Sequence, residues 1–155
     1  MMKTLSSIPA VIRRCLGIMT VLLMLDGCAT TVVSVSTDRI RAEITAIIRE
    51  INLNREAMNG LGKRRIGATG FFYIVNSDGI VVFHPRPALI GTSFRNHWFI
   101  NKIMEEKTGC LTYRLGNRTH VVFYERLNEE EILCFSIVSD DLGALPAECS
   151  PADVR

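Results

Sequence analysis

The stretch "GFFYIVNSDGIVVFHPRPALIG", residues 70–91, holds most of the information about the fold. Two apolar runs, "GFFYIVN" and "IVVFH", flank Asn76-Ser77-Asp78-Gly79. Asn or Asp opens such turns by bonding its own backbone, and Gly takes the left-handed position that closes them. This predicts two antiparallel strands. Both are apolar on successive residues, so both faces need cover. His84 then meets Pro85, which has no N–H to donate, and pairing stops there. Pro85, Pro87 and Gly91 punctuate a loop.

Outward from this hairpin the pattern is regular. Upstream, Ile40, Ile44, Ile47, Ile48 and Ile51 recur at helical spacing with charges between them. This predicts an amphipathic helix over 38–58, with Asp38 favoured at its positive end and Gly60 as its stop. Its isoleucine stripe needs a sheet to cover, or a second copy of the same helix. Downstream, a second helix is expected over 97–107, capped by Asn96 and ended by Gly109. Three strands follow as a meander. "CLTYRL" turns through Gly116-Asn117 into "THVVFYER", and "LNEEE" turns into "ILCFSIV". Short links between strands, with helices set apart from them, describe an α+β fold with a five-stranded antiparallel sheet. Pairing the first strand with the last gives a PAS-like arrangement. The polar tail from 141 to 155, with two prolines, is expected to carry little order.

Residues 1–27 read differently. Lys3, Arg13 and Arg14 precede the apolar run "CLGIMTVLLML", residues 15–25. A basic start and an apolar run too short to span a bilayer mark a secretory signal peptide. "LDGCA" then resembles the lipobox of bacterial lipoproteins, with Cys28 as the lipidated residue; Asp26 departs from the small or apolar residue usual there. Residues 28–36 would be a lipid-anchored tether or a short extra strand. Removing 1–27 takes three basic residues from 18 and one acidic residue from 16, leaving 15 of each. The mature chain is thus neutral, and neither nucleic acid nor any other charge-driven partner is expected. Outside the cytoplasm, two of Cys110, Cys134 and Cys149 could pair. Cys134, in an apolar run, reads as a small buried hydrophobe. No Cys/His spacing suits a metal, and no cofactor is expected. Catalysis is not expected either, because nothing acidifies a Cys110 thiol or orients His120 as its base.

The run from Phe72 through Asp78-Gly79 to His84-Pro85 and Gly91 resembles the core of Cache domains, extracytoplasmic sensors of bacteria and archaea. "TGCLTYRLGNRTHVVFYERL" is similar to their second half. "ILCFSIVSDD" stands where their last strand stands, without its usual Trp. The likeness covers residues 37–140 as one module. It implies binding of a small organic acid or amino acid on one face of the sheet. Relatives of this kind pass the signal to an output domain. This sequence reaches Arg155 without one, so a separate signalling protein is the expected partner.

The ligand is expected between the sheet and the segment after His84. Arg95 offers a planar fork for a carboxylate, and Asn96 and Trp98 stand at the start of the second helix, where free N–H groups favour an anion. Tyr73, Tyr113 and Tyr124 would supply walls and hydroxyls. His84 either fixes the turn before Pro85 or touches the ligand. His97 and His120 are expected at the surface. The alternative function is a structural or interaction lipoprotein whose pocket is filled by its own side chains.

Overall fold

The computed structural model describes residues 34–149. The signal sequence and Cys28 lie outside the described residues.

The first helix, α1, runs from Thr37 to Leu53. Ser36 caps it by accepting the Arg39 N–H, and Asp38 lies in its first turn. It ends five residues before the expected position. Asn54 leaves helical geometry and its side chain accepts the Glu56 N–H, starting a 3-10 segment over Arg55–Lys63. Asn competes for backbone bonds in this way at helix ends. Ile40, Ile44, Ile47 and Ile51 are buried, and Ile48 packs at the margin. The stripe therefore covers this molecule's own sheet.

That sheet has five antiparallel strands: β1 (Phe71–Asn76), β2 (Val81–Phe83), β3 (Gly109–Leu115), β4 (Arg118–Arg126) and β5 (Glu131–Val138). Their order is β2-β1-β5-β4-β3, so the first strand does pair with the last. The Asn76 Oδ1 accepts the N–H groups of Asp78 and Ile80, and Gly79 sits at φ 72°. Gly116, also at positive φ, sets the β3–β4 hairpin with Leu115 opposite Arg118.

Side-chain alternation divides the core in two. Phe72, Ile74, Val121, Phe123, Leu133 and Phe135 meet α1. Tyr73, Val75, Val122, Tyr124 and Cys134 face the other way. There they meet Ile100 and Ile103 of the second helix, α2 (Trp98–Glu106). His97, not Asn96, is the cap residue of α2, and it makes no side-chain capping bond. The helix ends at Lys107, in the left-handed region, two residues before Gly109.

Residues 141–149 are more ordered than their composition suggested. Leu142 bridges Val35, Glu148 pairs with Arg41 at 2.9 Å, and Cys149 is disulfide-bonded to Cys110. Cys134 remains a buried free thiol, pushed up to about 12 by burial. The Cys110 sulfur is thus committed to a covalent bond, which removes the thiol that a Cys110/His120 pair would need.

Candidate functional site

A hollow of about 620 Å³ opens over the end of the sheet where β1 and β4 begin and β2 and β3 end. Only nine residues of α2 cover this face, and its buried contacts come from Ile100 and Ile103. The start of α2 therefore roofs one side of the hollow through His97, Trp98 and Phe99.

The strands place flat rings around it. Phe71, the first residue of β1, meets His84 edge-on at 5.3 Å. Tyr113 on β3 lies opposite His120 on β4, and their rings stack at 5.3 Å. On its other side Tyr113 stacks on Phe99 of α2 at 4.3 Å with 11° between planes. Phe94 and His97 meet edge-on at 5.5 Å. All three histidines of the chain line this one space. They do not converge, and among the described residues no group of metal-ligating side chains forms a site.

Charge around the hollow has one sign. Arg65, Arg86 and Arg114 line it and are exposed; no Asp or Glu does. Among the described residues, none of these three arginines is in a salt bridge. Arg64 contrasts with them, being held by Glu43 and Glu50. A cleft lined by one sign of charge concentrates counter-ions. Burial, then the Arg86 charge, lowers the His84 pKa, and burial, then Arg118, lowers that of His120. Burial also raises the Tyr113 pKa, so its hydroxyl stays protonated.

The expected site residues divide. His84, Trp98 and Tyr113 line the hollow. His84 fixes the turn, its Nδ1 accepting the Arg86 N–H at 2.9 Å, and it also lines the hollow. Arg95 and Asn96 are exposed and outside the lining. The reason is a tertiary contact: Phe94 N–H bonds the Gly79 carbonyl at 2.8 Å, which pins the Arg95 backbone against the β1–β2 turn, away from the open end. Tyr73 points to the correct face but is buried, 6.1 Å from the His84 ring and beside Cys134. Tyr124 lies toward the far end of α2 and donates its hydroxyl to Glu106. Its pKa is raised by burial and by that carboxylate. Sequence reasoning missed Arg65, Arg86 and Arg114, and it did not bring His97 or His120 to the hollow; His97 is exposed as expected but stands at the rim, and His120 is half-buried. The signal for His120 was present: a two-residue turn at Gly116-Asn117 pairs 115 with 118, and hence 113 with 120.

The sequence matches no family model and no curated relative. Solved structures do match. A methyl-accepting chemotaxis protein from Vibrio parahaemolyticus superposes with TM-score 0.57 at 15% identity, over 86% of this chain and 99% of that one. A periplasmic sensor domain of a chemotaxis protein gives 0.53 at 14% identity, over 67% and 95%. A Cache chemosensory domain, described for its carboxylic acid recognition, gives 0.50 at 12% identity, over 86% and 100%. The fold is that of a Cache domain. Several other similar ligand-binding and extracellular domains are longer, and the chain spans 35% to 41% of their length. The likeness is one of fold. At these identities it assigns no ligand.

Proposed function

We propose that this chain is an extracytoplasmic sensing module that binds a small organic acid or amino acid and is held to the membrane by lipid on Cys28. The observation that carries the reading is the hollow itself: about 620 Å³, lined by three exposed arginines and no acid. Its size lies within the range of small-molecule sites, roughly 300–1,000 Å³. Two further points support the location. The Cys110–Cys149 disulfide belongs to an oxidising compartment. The Cache fold is shared with a periplasmic sensor domain. The bound state would pass to a separate signalling protein. The module works by binding, and no catalytic step is assigned to it.

Thermal-shift screening of organic acids and amino acids tests this. A ligand at a hundred times its dissociation constant adds about 2.7 kcal/mol, which raises the melting temperature by roughly 10 °C. Replacing Arg65, Arg86 and Arg114 together by Gln lowers the affinity of a confirmed acid at least tenfold. A folded chain that responds to no acid in a broad set refutes the reading. Cys28→Ser abolishes metabolic lipid labelling; persistent labelling refutes the anchor.

The second reading is an interaction lipoprotein. It draws on Trp98 and Leu115, both exposed at the hollow at 45% and 63%. A null result in the same screen favours it.

A further inference from the structure

We propose that the hollow is shaped for a planar aromatic carboxylate, in preference to a short aliphatic acid or an amino acid. The inference rests on the binding reading above and narrows its ligand class.

The first ground is the concentration of rings. Of the 17 residues lining the hollow, eight carry flat rings: Phe71, Phe94, Trp98, Phe99, Tyr113 and the three histidines. The whole chain has only 11 Phe, Tyr and Trp residues, and five of them are here. A site for an acid of two to four carbons needs neither this much ring surface nor this volume. Branched aliphatic lining is sparse, being Leu89 and Leu115.

The second ground is how the sheet spaces the rings. Phe71 stands on β1 and His120, stacked on Tyr113, stands on β4; β5 runs between them. The β5 residue opposite Phe71 is Ser136, whose Oγ is 3.4 Å from the His120 Nδ1. Ser136 is itself fully buried against His120 and outside the lining, so the open space lies beyond it, at the rim where Phe71 and His120 stand. Two strand spacings put β1 and β4 roughly 10 Å apart. Aromatic pairs interact at centroid separations of about 4.5–7 Å. A flat ring entering that gap is within reach of both Phe71 and the His120–Tyr113 stack. A puckered ring or an alkyl chain of the same charge gains the burial but not the ring-to-ring geometry.

The third ground is charge. Arg65, Arg86 and Arg114 offer forked donors to a carboxylate at the open side. No lining carboxylate can receive the ammonium of an amino acid. Burying that cation without a partner is costly.

The only tryptophan of the chain, Trp98, lines the site, so its fluorescence reports binding there. The experiment uses the full chain purified in detergent. It titrates benzoate, 4-hydroxybenzoate and indole-3-carboxylate against cyclohexanecarboxylate, propionate, benzamide and alanine. At least one planar acid is expected to saturate the Trp98 signal. Cyclohexanecarboxylate, which keeps the charge and loses the plane, and benzamide, which keeps the plane and loses the charge, each bind at least tenfold more weakly. Tyr113→Leu reduces the planar preference to below threefold; if that variant does not fold, Phe71→Leu takes its place. Cyclohexanecarboxylate, propionate or alanine binding as tightly as the planar acids overturns the inference while leaving the module an acid binder. Equal binding of benzamide overturns the carboxylate part. If no acid of either kind binds, the proposed function falls with it.

Discussion

Breaking the Cys110–Cys149 bond should cost this domain a large share of its stability. The two cysteines are 39 residues apart, and the loop they close contains β4, β5 and the segment after them. In the chain-entropy account, a closed loop of that length removes about 4 kcal/mol of freedom from the unfolded chain. A domain of this size is stable by roughly 5–15 kcal/mol in total. The native state loses little else directly, because Cys149 also keeps company with Leu142 and the Arg41–Glu148 pair. The assay is urea unfolding with and without reductant, on the native chain and on Cys110→Ser/Cys149→Ser. With a urea slope of about 2 kcal/mol/M, the midpoint should fall by roughly 2 M in the double variant. Reductant should move the native chain to the same midpoint and leave the variant unmoved. Cys134 provides the internal control: buried and with its thiol pushed up to about 12, it should resist thiol reagents until the domain unfolds. A double variant within 1 kcal/mol of the native chain refutes the entropic reasoning. So does a native midpoint that reductant does not change.

Two other outcomes follow from single contacts. His84 and His120 both have pKa values held below the usual histidine range, chiefly by burial. The neighbours facing them are Phe71, Tyr73 and Arg86 around His84, and Tyr113, Ser136 and Arg118 around His120. The folded state therefore binds fewer protons than the unfolded chain. Stability should be complete above a pH of about 6.5 and decline as pH falls from there through the lowered values. Urea midpoints at neutral and mildly acidic pH measure this, and His84→Gln/His120→Gln should flatten the decline; an equal slope in that variant removes the histidines as its cause. Asp141 accepts both the Thr69 N–H and the Thr69 hydroxyl at 2.7 Å, and Thr69 lines the hollow. Asp141→Ala should cost about 1–3 kcal/mol by stranding a part-buried donor, and a loss under 0.5 kcal/mol in urea unfolding counts against that bond.

The sheet could be anticipated because each turn carries its own chemistry. Asn76 and Gly79 bond as their residue types dictate, and Gly116-Asn117 fixes the β3–β4 register without help from the rest of the chain. The isoleucine stripe of α1 was equally plain. Arg95 went astray for a tertiary reason. Its placement depends on the Phe94 N–H reaching Gly79, a bond between segments 15 residues apart that no local pattern announces. Arg65, Arg86 and Arg114 come from three separate loops and strand ends, so only the closed sheet brings them to one rim. A bond between two of Cys110, Cys134 and Cys149 was expected, but a polar, proline-bearing tail does not announce that its own Cys149 is the one held to β3.

The two faces of the sheet are unequally covered, and the inequality accounts for the hollow. On one face α1 lays four buried isoleucines across the strands, and the rings of Phe72 and Phe135 fill the remainder at 4.8 Å. On the other, α2 is about half as long and buries two isoleucines. Nine residues at about 1.5 Å each reach only some 14 Å. That spans three strand spacings but not the length of β4 as well. The uncovered end must either be filled with side chains or left open. The chain fills the inner part with Tyr73, Tyr124 and Cys134, all buried. At the outer part it places half-buried rings with exposed arginines around them. Apolar substitutions toward α1 should therefore act through stability, by the 2–5 kcal/mol of a truncated core aliphatic. Those at Phe71, Phe99 or Tyr113 should act through ligand affinity at much smaller structural cost. A shared, purely structural penalty on both faces would mean that the open end is merely imperfect packing, and the argument for a ligand would lose its footing.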